Sequence, residues 1–278
     1  MASFITWMSL LLIGFGLIVH GLGDWFSPPA DSFEQAAFIA GSALATVGLS
    51  GIEANGPAHW VLVAARICGL AVLTMAVTYL IEVQEGVSRR DRGVLKITTT
   101  TSGHPPSAIG MLERYADLDA SEEMRRALYD GRDWCASMLQ SHASHPSLIY
   151  FRSVGTGAGW PGALGTLMDL ALILELLIDD PKSRAAALLL RDEGLRLVRD
   201  IAGLIGLEPR SARPTTSEVD AVCRRLSAAG YRLKSDPDLR AFAARRAEHA
   251  CCIDAIAAHL GTPAAPLLPG PARIASKD

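Results

Sequence analysis

Apolar residues run almost unbroken from Met1 to Gly23, with no formal charge when His20 is neutral, and again from His59 to Ile81, where Arg66 is the one charge. At about 1.5 Å per residue, either run is long enough for a helix to cross a hydrocarbon core of about 30 Å. The first predicts a membrane helix over about 2–23, the second over about 59–82. Between them the pattern changes. Pro28-Pro29 stops the first helical unit, Asp31 or Ser32 offers an oxygen to cap a new helix, and Glu34 and Gln35 suit its first turn. Phe33, Ala36, Ala37, Ala40 and Leu44 then recur at helical spacing, which predicts a short re-entrant helix over about 32–45. Residues 46–50 follow as non-helical backbone at membrane depth, tolerated only where it is buried in protein or lines water.

Beyond Glu82, Arg, Asp and Glu spread through Ala- and Leu-rich stretches, so the pattern divides the chain into 1–87, a membrane part, and 88–260, a mainly helical cytoplasmic part. Helices are expected at about 107–117, 121–142, 161–179, 183–207, 216–230 and 236–260, separated by breaks at His104-Pro105-Pro106, Gly155 to Pro161, Pro181, Pro209 to Pro214 and Pro237. Val94 to Thr101 is rich in β-branched residues and reads as the one strand. Gly162 to Ile178 is apolar nearly all round. It is short for a third span and interrupted by Asp169 and Glu175, so a buried central helix or a subunit interface is the expectation. The tail, 261–278, is rich in Pro and Ala and reads as disordered.

Composition agrees with a joined membrane and water-soluble part: half of the residues are hydrophobic, yet 20% are charged. Asp24, Asp31, Glu34 and Glu53 are the formal charges of the connecting segment, whereas Arg89, Arg90, Arg92 and Lys96 cluster after the second run. The positive-inside tendency then places both termini in the cytoplasm of a multi-pass cell-membrane protein. A cleaved signal peptide would need basic residues ahead of the first apolar core and a small-residue site behind it, and neither is present. The five cysteines fall in the second run or after it, where reduced thiols are expected. A net charge of −3 excludes a strongly basic nucleic-acid binder.

Helix, short pore helix, Thr46-Val47-Gly48 and a second helix with a mid-span glycine together resemble the two-transmembrane potassium channels. The resemblance covers residues 1 to 87. It implies an all-α membrane fold with a selectivity filter at Thr46, Val47, Gly48, Leu49 and Ser50, where backbone carbonyls and the Thr46 hydroxyl replace the water of a permeant potassium ion. Where the family reads Thr-Val-Gly-Tyr-Gly-Asp, this chain has Leu49 for the tyrosine, Ser50 for the second glycine and Gly51 for the aspartate. Thr-Val-Gly-Leu-Ser is also similar to the pore loops of Trk- and Ktr-type potassium transporters, which carry four loops in one chain. One loop per chain implies a homotetramer in lipid, with the pore on its axis. No cofactor is implied and no metal beyond permeant potassium.

Gly69, about ten residues into the second run, offers either helix bending or close helix approach. Thr74, Thr78 and Ile81 recur at spacings of three and four, so one face could line an inner cavity narrowing near Thr78 to Glu82. Glu82 and Glu85 either draw cations to the inner mouth or solvate a helix end. Arg66 is costly at membrane depth unless paired, and Glu34 and Glu53 are the available partners for a bridge supporting the filter. Neither run has the regularly spaced arginines of a voltage sensor.

The cytoplasmic part has no nucleophile motif, and Gly155-Thr156-Gly157-Ala158-Gly159 lacks the Lys-Ser or Lys-Thr of a phosphate loop. His142 and His145 would share a helix face only if Pro146 leaves the turn intact, and His249, Cys251 and Cys252 form a similar incomplete ligand group. The expectation is a non-enzymatic, potassium-selective channel whose helical domain assembles and gates it, with an unidentified cytoplasmic ligand and no nucleic acid. The alternatives are a weakly selective sodium and potassium channel and, in a different class, a membrane-anchored cytoplasmic sensor or enzyme.

Overall fold

The computed structural model describes residues 2–48, 51–101, 105–153, 159–208 and 216–269. Among them the chain is mostly helical, with nine α-helices and one two-stranded ribbon. It divides into two compact units, Met1–Val83 and Gln84–Asp278.

The first unit holds α1 (Ala2–Gly21), β1 (Phe26–Ser27), α2 (Phe33–Leu44), β2 (Glu53–Ala54) and the start of α3 (Pro57–Thr100). Of the two possible caps for α2, Ser32 is the one used: its Oγ accepts from Gln35 N at 3.2 Å, and Gln35 Oε1 reaches back to Asp31 N at 3.2 Å. Ala36, Ile39, Ala40, Ala43 and Leu44 put one helical stripe into the core, while Phe33, expected on that stripe, is exposed. The ribbon pairs Phe26 with Ala54 and Ser27 with Glu53, tying together the two ends of the connecting segment. Along α3, Ala58, Leu62, Ala65, Gly69 and Val72 are buried at alternating steps of four and three, a narrow seam. The other faces of α1 and α3 expose Leu10, Ile13, Leu17, Ile67, Leu70 and Leu73. Both helices are long and apolar enough to cross a membrane.

The second unit is built around α6 (Gly159–Leu176), in which every residue from Gly159 to Glu175 is buried. Around it lie α4 (Ala108–Asp117), α5 (Ser121–Ser144), α7 (Pro181–Leu204) and α9 (Leu239–Leu260), with α8 (Thr216–Ala228) against α4. The long apolar run is therefore the central helix of this unit's core, because enclosure on all sides removes the need for a polar face.

Two expectations fail here. Val94 to Thr101 is not a strand: α3 continues through it to Thr100. Arg90, Val94, Ile97 and Thr98 are buried at helical spacing within the second unit, and Thr98, Thr99 and Thr100 return their hydroxyls to carbonyls three or four residues back. Packing on a 3.6-residue period outweighs β propensity. Residues 261–269 are also not disordered. Gly261, at φ 64°, closes α9, and the chain then buries Ala265 against Gly165 and Leu267 in the core. Residues 270–278 lie outside the described residues.

Leu172→Ala, in the centre of α6, is expected to cost about 2–5 kcal/mol and to lower the thermal unfolding midpoint of the full chain by several degrees. Leu189→Ala, on the exposed side of α7, should change stability by less than about 0.5 kcal/mol. Small, equal effects at both positions would mean that α6 is not a core helix.

Candidate functional site

The end of α2 carries an unusual backbone. Thr46 N–H donates to Ala43 O at 3.0 Å and Val47 N–H to Ser42 O at 3.1 Å, the paired bonds of a helix end that turns through the left-handed region. The residue making that turn is Thr46, at φ 56°. Glycine normally takes this position; a β-branched residue is strained there by about 1–3 kcal/mol. Gly48 follows at φ 88° and Gly51 at φ 79°, and Val47 is 79% exposed. Among the described residues, no loop or cap hydrogen bond ends on the carbonyl oxygens of Ala45, Thr46, Val47 or Gly48. Leu49 and Ser50 lie outside the described residues.

Gly69 places this segment. A Cβ on Gly69 would fall 1.8 Å from Leu44 O and 2.6 Å from Leu44 C, so the last turn of α2 sits directly on the backbone of α3. Of the two roles open to Gly69, the structure has close approach. Beside this contact, α1, α2 and α3 enclose a mainly apolar groove of about 630 Å³ that includes Phe4, Met8, Thr46 and Leu73.

The other expected site residues separate into two groups. Thr74, Thr78 and Ile81 are exposed on the side of α3 opposite the Gly69 seam, so Gly69 does not share their face. Thr74 Oγ1 donates to Leu70 O at 2.8 Å and Thr78 Oγ1 to Thr74 O at 2.9 Å, which satisfies both hydroxyls within the helix. Glu82 is exposed one residue further on. The supporting bridge is not formed: Glu34, Glu53 and Arg66 are all exposed, and among the described residues Arg66 has no ion pair with either carboxylate. The helix crossing explains this. Glu34 lies ten residues before Leu44, about 15 Å along α2, whereas Arg66 is only one turn from Gly69. Glu53 is held on β2, opposite Ser27.

The second unit buries charge that the sequence pattern did not reveal as a network. Asp169 of α6 accepts from Arg246 Nε at 3.0 Å and meets His249 Nε2 at 2.9 Å, both on α9. Burial alone would raise the Asp169 carboxyl, but Arg246 and His249 outweigh it and hold it below its ordinary value. One and a half turns on, Glu175 bridges Arg191 of α7 and Arg245 of α9. Arg90, expected only as one of a basic cluster, is 1% exposed and donates to Leu148 O at 2.9 Å and Phe151 O at 2.7 Å. The signal available for the two acids was their placement in an otherwise apolar run, since buried carboxylates need partners.

Neither ligand group gathers a metal set. α5 ends at Ser144 and Pro146 begins a 3₁₀ turn, so His142 and His145 do not share a helix face. His142 is buried and donates from Nδ1 to Met138 O at 2.8 Å. His249 is engaged with Asp169, and burial pushes the Cys252 thiol up to about 11. Among the described residues no three His, Cys, Asp or Glu side chains could hold a metal ion. Residues 155–158 of the glycine-rich stretch lie outside the described residues. Comparison with known protein families, curated proteins and solved structures finds no match.

Gly69→Ala forces a methyl group onto a backbone oxygen that no side-chain rotation can relieve. It is expected to destabilise the first unit by about 1–3 kcal/mol or more, read as a lower unfolding midpoint in detergent. His142 supplies a pH test. Burial pushes its pKa down to about 4, and its Nε2 has no hydrogen-bond partner among the described residues, so protonation would bury a second N–H without an acceptor. A histidine with a depressed folded value binds fewer protons folded than unfolded, so its contribution is complete above about pH 6.5 and is lost as pH falls toward 4. At about 1.4 kcal/mol per pH unit, the loss is on the order of 3 kcal/mol. Urea unfolding from pH 7 to 4 should show that fall in the native chain and a flatter profile in His142→Gln.

Proposed function

We propose that the chain is one subunit of a homotetrameric, potassium-selective channel of the cell membrane, with α1 and α3 crossing the bilayer and α2 as a re-entrant pore helix. One observation carries the reading: the exposed segment from Ala45 to Gly48, strained at Thr46 and following the helix end that rests on Gly69, between two helices of membrane-crossing length, has among the described residues no loop or cap hydrogen bond on its backbone carbonyls. Carbonyls left free at membrane depth are costly unless water or an ion meets them. Four copies around an axis would supply a dehydrated cation with the oxygen shell it loses. The partial negative charge at the carboxyl end of α2 favours a cation there.

The face carrying Thr74, Thr78 and Ile81 suits the inner cavity, since its hydroxyls already have partners and stay satisfied whether the cavity is wet or dry. Lipid would cover the exposed apolar residues of α1. Residues 84–100 of α3 belong to the core of the second unit, through Arg90, Val94 and Ile97, so a conformational change in that unit acts on the helix that carries the cavity face. In this reading the second unit is cytoplasmic, as are both termini, and potassium is the permeant ion. Leu49 and Ser50 stand where the channel family has tyrosine and glycine, which favours, as a second reading, a filter that admits sodium as well.

Purified protein in liposomes is expected to pass potassium, with a reversal potential that follows the potassium gradient against sodium. Gly48→Ala meets no steric obstacle, since nothing lies within 4 Å of its Cβ, but it strains a φ of 88°. It should abolish flux while leaving the tetramer intact on size-exclusion chromatography. A reversal potential near zero in opposed potassium and sodium would select the weakly selective channel. No flux from the native chain would leave a membrane-anchored sensor or enzyme.

A further inference from the structure

The second unit contains a cavity of about 290 Å³ between the carboxyl-terminal part of α3 and helices α4 and α5. Its floor is apolar, formed by Ile97, Met111 and Leu167, and Tyr115 and Trp134 form its walls. Trp134 is fixed in place: its Nε1–H donates to Arg90 O at 3.0 Å, and its ring occupies the space that a Cβ on Gly93 would need, 2.2 Å from Nε1. The mouth is charged on both signs. Lys96 and Asp130 are paired across it at 3.0 Å. Glu123 and Arg126 also line the cavity, one turn apart on α5, and neither has an ion pair among the described residues.

We propose that this cavity binds an apolar α-amino acid, its carboxylate on Arg126, its ammonium on Glu123 and its side chain between Tyr115 and Trp134. An α-amino acid carries both charges on one carbon, which suits a cation and an anion three residues apart on a helix. Lys96 and Asp130 neutralise each other, and the remaining Glu123 and Arg126 are balanced, which suits a zwitterion better than inorganic anions or fatty acids, whose charge is of one sign. The volume is at the lower limit for small-molecule sites, which suits a metabolite of this size. Five lining residues, Gly93, Lys96, Ile97, Thr99 and Thr100, belong to α3, so an occupant touches that helix directly. The assignment stands on this unit alone and does not depend on ion conduction.

Isothermal titration of the full chain in detergent with L-phenylalanine and with L-leucine tests it. Saturable binding at millimolar or lower concentration is expected for at least one. Arg126→Gln and Glu123→Gln, both at exposed positions, should each weaken it by about ten- to hundredfold while leaving the unfolding midpoint unchanged. The analogues separate the two ends. Arg126→Gln should erase the preference for L-phenylalanine over phenethylamine, and Glu123→Gln the preference over 3-phenylpropanoate. Absence of saturable binding by both amino acids, or binding that survives either substitution, overturns the proposal.

Discussion

The missing side chain at Gly69 determines what the first unit can be. With the position of its absent Cβ only 1.8 Å from Leu44 O, any other residue would lift the end of α2 off α3. Seated there, α2 has to terminate within one turn, and it does so through Thr46 in the left-handed region, a conformation a β-branched residue adopts only under restraint. Ser32 secures the other end of α2, and the β1–β2 ribbon returns the chain to α3. The segment from Ala45 to Gly48 thus leaves a fixed helix end, among the described residues no loop or cap hydrogen bond ends on its carbonyls, and the proposed function rests on that combination.

In the second unit the governing constraint is charge inside an apolar core. Asp169 and Glu175 interrupt a helix buried on all sides, and an unpaired carboxylate at either place would cost several kcal/mol. Arg246 and His249 meet the first acid, and Arg191 and Arg245 the second, which avoids this cost. The polar pairs therefore select how α7 and α9 lie against α6, while Leu164, Leu170, Ile173 and their neighbours supply the burial.

The helices of both units could be read from the sequence because local signals agreed with the packing: apolar period, Ser and Asp caps, and proline breaks. Val94 to Thr101 could not, because its β-branched residues say nothing about the neighbours that bury Val94 and Ile97 on a helical period. The seam of α3 identifies Gly69 as a contact, but the identity of its partner atom, Leu44 O, is a tertiary fact. Arg66 shows the opposite failure. Charge and depth made a bridge to Glu34 attractive, and among the described residues no ion pair joins the two, both of which are exposed. Asp169 was expected in a buried helix but its partners Arg246 and His249 lie 77 and 80 residues away in the chain, and Arg90, visible as a charge beside Asp91, is buried by carbonyls 58 and 61 residues away.

The central claim is that copies of the segment after α2 meet on an axis and present backbone oxygen to a bare cation. A structure of the full chain in lipid nanodiscs, determined in rubidium or thallium salt, examines that directly. The account predicts four chains around one axis, with ion density in contact with the carbonyls of Thr46 and Val47. A segment facing lipid or bulk water, off any fourfold axis and without bound ion, would contradict it.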